Sequence, residues 1–212
     1  MEGAQILIFG GGTVAARKAS ALLPDADVVA IGREFSPAFD PAVELILADL
    51  DPVEVERWIR ETDPFMVIAA TDTTRLNEAI EAAAHEQGIL VNRADRRAGH
   101  GPGDVVMPGS FRDEPVIVSI GTHGRSPTVS RFLRQQLTEE WAGAGNVAEA
   151  LAIVREEQLG SLTPDDRRDA LRGVVSSPAL WEAARNGRQS AINTARQLID
   201  EWIESASSDD LD

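Results

Sequence analysis

Hydrophobic positions in the first half of the chain fall in short continuous runs separated by longer stretches with helical spacing. The strand-like runs are Gln5–Phe9, Asp27–Ile31, Val43–Leu47, Phe65–Ala70 and Ile89–Asn92, and the helix-like stretches are Thr13–Leu23, Pro52–Arg60 and Thr74–Gln87. A run as uniformly apolar as Phe65-Met-Val-Ile-Ala-Ala70 suits a strand covered on both faces. This alternation predicts an α/β fold, a Rossmann-like doubly wound parallel sheet. A further strand at Pro115–Ile120 leads into a helix that starts at Ser126-Pro127 and runs to about Trp141. A lone strand and helix cannot bury themselves, so this unit is expected to pair with its counterpart in a second chain or to pack back on the first domain.

Beyond Gly145 the spacing is helical throughout. Thr163-Pro-Asp-Asp166 and Ser177-Pro-Ala-Leu180 mark two helix starts, and Trp181, Ile192, Leu198, Ile199 and Trp202 supply a small apolar core. The polar end, Ser205 to Asp212, is expected to fray. The expected division is a Rossmann domain over 1–112, a strand–helix dimerisation unit over 113–145 and a small C-terminal helical domain over 146–212.

Charge narrows the classes. Against 35 acidic residues stand 20 basic ones, a net charge of −15, which disfavours a nucleic-acid partner. Lys18 is the single lysine, and the acid-rich, lysine-poor balance resembles that of proteins from salt-loving archaea. With 0 Cys and 0 Tyr, the chain has no disulfides, thiolate nucleophiles, cysteine metal sites or tyrosine general acid. No apolar run approaches the ~20 residues of a membrane helix and no signal peptide opens the chain, so a cytoplasmic protein without a membrane partner is expected.

Candidate chemistry begins in the first turn. Gly10, Gly12 and Ala15 fill G-x-G-x-x-A between a strand and a helix start, an arrangement that holds a dinucleotide pyrophosphate on helix N–H groups. Gly10, Gly11, Gly12, Thr13 and Val14 are therefore the cofactor-binding candidates. Strand two ends in Arg33-Glu34: Glu34 suits a ribose hydroxyl and Arg33 a 2′-phosphate, leaving NAD and NADP both open on chemistry alone. Strand four ends in Thr71-Asp72, placed at the rim near the cofactor and also suited to cap the next helix.

Strand five ends in Val91-Asn-Arg-Ala-Asp95, which puts one carboxylate beside Arg93, Arg96 and Arg97. These arginines keep it ionised and could clamp a polycarboxylate, or they form a structural ion-pair cluster. A second glycine-containing turn, Gly121-Thr-His-Gly-Arg-Ser-Pro127, offers Thr122, His123, Arg125, Ser126 and helix N–H groups as another anion site. The three histidines, His85, His100 and His123, lack metal-ligand spacing, so no structural metal is expected; His85 reads as a helical surface residue.

Taken in order over roughly residues 5–140, Gly10-Gly-Gly-Thr-Val-Ala-Ala-Arg-Lys18, Ala69-Ala-Thr-Asp72, Val91-Asn-Arg-Ala-Asp95, Met107-Pro108 and Gly124-Arg-Ser-Pro127 resemble the precorrin-2 dehydrogenases, the N-terminal module of siroheme synthases. The resemblance implies NAD-dependent oxidation of precorrin-2 to sirohydrochlorin by a homodimer, and in some members insertion of ferrous iron as a co-substrate. It implies Asp95 as general base and gives Arg93, Arg96, Arg97, Arg112 and Arg125 a purpose, holding the carboxylate arms of a tetrapyrrole. Thr122 aligns with a hydroxyl-bearing position near the family's active site, and His123 stands where many relatives have glycine. No methyltransferase domain follows, so uroporphyrinogen methylation is not expected. Two other readings compete: an NAD-sensing regulatory Rossmann domain without catalysis, and an NAD-dependent oxidoreductase for another small acid.

Overall fold

The computed structural model describes residues 3–23, 25–95, 103–123 and 125–209, with the side chains of 207–209 left aside. Two compact units divide the chain, Met1–Met107 and Pro108–Asp212.

In the first unit, β1 (Gln5–Phe9), β2 (Asp27–Gly32), β3 (Glu44–Leu47), β4 (Met66–Ala69) and β5 (Leu90–Arg93) form one sheet in the order β3-β2-β1-β4-β5. All four ladders are parallel, with Ile8 opposite both Ala30 and Ile68, and Ile68 opposite Asn92. Because side chains alternate across a strand, one parity builds each core layer. Ile6, Ile8, Val28, Ala30 and Ile68 pack with Ala15, Ala19 and Leu22 of α1 (Thr13–Leu22). Leu7, Phe9, Val29, Val67 and Val91 pack with Val55 and Ile59 of α2 (Pro52–Thr62) and with Ile80 and Ala84 of α3 (Thr74–Glu86). Burial on both faces is what the continuous apolar runs predict. The start of α2 is set by Asp51, whose carboxylate accepts from the N–H groups of Val53 and Glu54, with Pro52 at the first helical position. Asp63 ends it in the left-handed region at φ 42°.

The second unit opens with β6 (Gly109–Asp113) and β7 (Val116–Ile120), an antiparallel hairpin running from Gly109↔Ile120 to Asp113↔Val116. The strand expected to stand alone thus has a partner within the chain. β6 escapes sequence reading because Phe111 is its one large apolar residue, and that residue is buried. The unit boundary accordingly falls before β6, not after Arg112. Nor do the segments 113–145 and 146–212 separate: the Asp113 carboxylate accepts from the Gly143 N–H at 2.8 Å, and a Cβ on Gly145 would overlap the Glu114 carbonyl. This close approach seats α5 (Ala144–Glu157) on the hairpin.

The remaining helices are α4 (Pro127–Glu140), α6 (Pro164–Val175), α7 (Pro178–Arg185) and α8 (Arg188–Asp209). Val147, Val154, Leu159, Val174, Leu180, Ile192 and Ile199 form the centre of their core. Of the five residues expected there, Ile192 and Ile199 are buried, whereas Trp181, Leu198 and Trp202 flank the core half-buried. Trp181 sits at its edge because its Nε1–H donates to the Val175 carbonyl at 2.9 Å. α8 runs on through Ser205 into the segment expected to fray. No residue of α4 is fully buried, and Val129, Phe132 and Leu133 on it are exposed, as is Ile117 of β7. Among the described residues no helix is long and apolar enough to cross a membrane.

Candidate functional site

At the carboxyl ends of β1, β2 and β4 lies a cleft of about 1260 Å³ lined by the glycine turn, Arg33, Glu34, Thr71, Asp72 and the start of α3. This is the crevice where open parallel sheets bind ligands. The three glycines play different parts. Gly10 adopts φ 127° and donates its N–H to the Ile31 carbonyl at 2.8 Å, and any side chain there would strike the Ala70 carbonyl. A side chain on Gly11 would overlap the Glu34 carbonyl. Gly12 is held by neither constraint: its φ is −78°, and a Cβ there would meet only the open space of the cleft.

That opening stands at the start of α1. The helix has no side-chain cap and no acidic residue in its first turn, and Gly12, Thr13 and Val14 line the cleft. Uncapped N–H groups and the positive helix end favour an anion here. At α2, by contrast, the Asp51 carboxylate consumes the first N–H groups. Buried Ala15, Ala16 and Ala19 let α1 lie close to the sheet. At the rim, Arg33 faces Asp72 at 3.7 Å; with side chains 67% and 80% exposed, the pair is well solvated and readily parted. Asp72 does not cap α3. Its carboxylate accepts from the Thr73 hydroxyl, while the Thr71 hydroxyl accepts from the Thr73 N–H.

The end of β5 and the first turns of α3 carry a polar network built on buried Arg93 and Asn77. Arg93, at the end of β5, is 2% exposed at its side chain and grips Asp95 with Nε and Nη2, both at 2.8 Å, while Nη1 reaches Glu81 of α3 at 2.9 Å. The guanidinium holds the Asp95 carboxyl below its usual range, against the opposing effect of burial and with help from an Asn77 hydrogen bond. Asn77, fully buried in the first turn of α3, exchanges hydrogen bonds with Thr71. Arg93 therefore does not offer the open guanidinium that a substrate clamp needs: two carboxylates of its own unit engage it. Arg96 and Arg97, the next two expected clamp residues, lie outside the described residues, as does His100.

Asn77 and Glu81 escaped the sequence reading. The available signal was helical spacing: 77, 80, 81 and 84 share one face, and two polar residues interrupt the apolar stripe of Ile80 and Ala84. Lys18 was also undervalued. On the opposite face of the sheet, its ammonium donates to Asn92 Oδ1 at 2.7 Å, and Asn92 Nδ2 donates to the Val105 carbonyl. Burial, then the neighbouring Arg17, pulls the Lys18 pKa down to about 8. His85 lies at the surface as expected and meets Asp104 at 2.8 Å.

In the second unit, the turn before α4 is largely self-satisfied. The Thr122 hydroxyl accepts the Ser126 N–H at 3.3 Å and donates to the Ser126 carbonyl, the Arg125 N–H donates to the Thr122 carbonyl, and Ser126 Oγ accepts the Val129 N–H. The expected anion site there loses these donors to its own cap. His123 adopts φ 51°, the left-handed region that glycine enters without strain. Arg112, in β6, pairs with Glu114 at 3.1 Å.

Comparison with known proteins agrees with this geometry. A family model described as "Putative NAD(P)-binding" matches residues 1–109. A precorrin-2 dehydrogenase of Methanosarcina barkeri is 28% identical over 96% of this chain and 92% of the relative. Siroheme synthase 1 of Klebsiella pneumoniae is 30% identical over 98% of this chain but 41% of its own length, so the chain spans about two fifths of that protein. A solved structure titled "SirC, precorrin-2 dehydrogenase" superposes with a TM-score of 0.64 over 96% of both chains at 16% identity, a likeness of fold.

Proposed function

Because the chain belongs to the NAD(P)-binding family whose model spans its first 109 residues, we propose that it oxidises precorrin-2 to sirohydrochlorin with NAD. The observation that carries this reading is the presence, within one unit, of an open helix start at Gly12 and of a carboxylate, Asp95, that the Arg93 guanidinium holds ionised. Gly12, Thr13 and Val14 hold the pyrophosphate on backbone N–H groups, and the rim at Arg33 and Glu34 takes the adenosine ribose. Bound there, NAD supplies the hydride acceptor.

Asp95 takes the proton that leaves the macrocycle in the same oxidation. Arg93 keeps this carboxylate charged throughout the ordinary pH range, so Asp95 passes the proton on to solvent instead of retaining it. Arg96 and Arg97, next in sequence after Asp95, bind the carboxylate arms of the substrate. The exposed apolar residues of α4 and β7 form the face of a homodimer; sedimentation that finds only monomer at micromolar concentration would overturn this. Ferrous iron enters sirohydrochlorin as a second substrate, and the surface acidity keeps the protein solvated in concentrated salt.

The test follows absorbance as precorrin-2 and NAD are supplied first and ferrous iron afterwards, separating oxidation from metal insertion. Asp95→Ala is expected to lower kcat by about 100-fold, the range of a lost general base. A full dehydrogenase rate in that variant would refute the assignment.

A further inference from the structure

The cleft is chemically lopsided. Where the chain leaves β2 and β3 it is lined by Phe35, Leu50 and Pro52, whereas beyond β4 the lining is mostly polar, Thr71, Asp72 and Thr73. A flat adenine ring therefore belongs on the side of β2 and β3. That orientation carries the adenosine ribose to the end of β2, where Arg33 and Glu34 line the cleft.

NAD and NADP differ at one place, the 2′-oxygen of that ribose, which is a hydroxyl in the first and a phosphate in the second. A carboxylate suits the hydroxyl and an arginine suits the phosphate. Arg33 and Glu34 supply one group of each kind side by side, so the end of β2 by itself does not choose. The other basic residue that lines the cleft, Arg75, belongs to α3, on the far side of β4. Acceptance of a 2′-phosphate thus turns on Arg33.

Arg33 is already engaged: its Nη2 lies 3.7 Å from Asp72 Oδ2. Because β1 stands between β2 and β4 in the sheet, this pair joins the loops that flank the glycine turn. Asp72 is held in turn, its other carboxylate oxygen accepting from the Thr73 hydroxyl at 3.1 Å. A 2′-phosphate, with a charge of about −2, has to take Arg33 from Asp72 and then share the cleft with a carboxylate that has lost its partner. The hydroxyl of NAD requires neither step.

Resting on the dehydrogenase reading above, we propose that Asp72 is a specificity-determining residue: by engaging Arg33 it withholds from NADP the cation at the end of β2 and so sets the preference for NAD. The ion pair is solvated, so the discrimination it supplies is several-fold and weakens in salt.

The test titrates NADH and NADPH against the whole chain by nucleotide fluorescence, in wild type, Asp72→Asn, Arg33→Ala and the double variant. Asparagine keeps an acceptor for Thr73 and the shape of aspartate at a side chain that is 80% exposed, so the fold is spared. Wild type is expected to bind NADH more tightly than NADPH. Asp72→Asn should raise the affinity for NADPH relative to NADH by about fivefold, and the gain should vanish in the double variant because it passes through Arg33. Asp49→Asn removes an equal charge from the lining of the same cleft without releasing Arg33, and should change the ratio by about twofold or less.

Equal affinity of wild type for both nucleotides, a gain that survives the loss of Arg33, or an equal gain from Asp49→Asn overturns the proposal. If wild type leaves precorrin-2 unoxidised with either nucleotide while the binding ratios move as expected, the dehydrogenase reading alone falls.

Discussion

Replacing Gly12 with alanine separates cofactor binding from folding at a single atom. The backbone there is extended, φ −78° and ψ 177°, which alanine adopts freely, and a Cβ would meet nothing within 4 Å. Alanine is a poorer N-cap than glycine, but it restricts the unfolded chain by about 0.4–1 kcal/mol in compensation, so stability should stay within about 1 kcal/mol of the parent. The methyl group nevertheless stands in the cleft where pyrophosphate must approach the N–H groups of α1. Losing one hydrogen bond to a charged group costs about 1.5–3 kcal/mol, so the Kd for NADH should rise about 10- to 100-fold. Titration by nucleotide fluorescence with a parallel thermal melt measures both. Gly10→Ala is the counter-experiment: φ 127° and the Ala70 carbonyl leave no room, so it should lose stability by about 2 kcal/mol or more. Were Gly12→Ala to melt normally and bind NADH as tightly as the parent, the glycine turn would not be the pyrophosphate cradle.

Two further outcomes follow from the buried charges. Arg93→Leu strands the Glu81 and Asp95 carboxylates and should cost about 3–5 kcal/mol in urea unfolding, with Glu81→Gln milder; a cost within experimental error would show the network to be solvated. Since the Asp95 pKa is lowered in the folded state, its stabilisation is present above about pH 4 and lost as pH falls, and Arg93→Leu should lack that acid sensitivity. The Lys18 pKa is lowered as well, its folded value of about 8 lying below the ordinary 10.5 because burial disfavours the charged ammonium. Between these values the unfolded chain binds the extra proton, so stability should rise with pH there by roughly 3 kcal/mol relative to Lys18→Met. Parallel stability–pH curves for the two proteins would refute it.

The alternation of apolar runs and helical spacing was enough to determine five parallel strands, the glycine turn and the helix starts at Pro52, Pro127, Pro164 and Pro178, because each is a local pattern of side-chain period, backbone freedom or capping. It also brought Asp95 and Arg93 forward, two residues apart on one strand end. Their meaning was decided by folding. Arg93 looked like a substrate clamp and became a buried anchor because Glu81, twelve positions earlier on α3, reaches it across the sheet face. Asn77 closes on Thr71, six positions earlier, although nothing in its local sequence marks a site. β6 became a strand only by pairing with β7, since Gly109-Ser-Phe-Arg-Asp113 has no strand pattern of its own. Local periodicity specifies what each segment becomes; which polar groups lose water together depends on contacts between segments far apart in sequence, and those exist only once the sheet and its helices have packed.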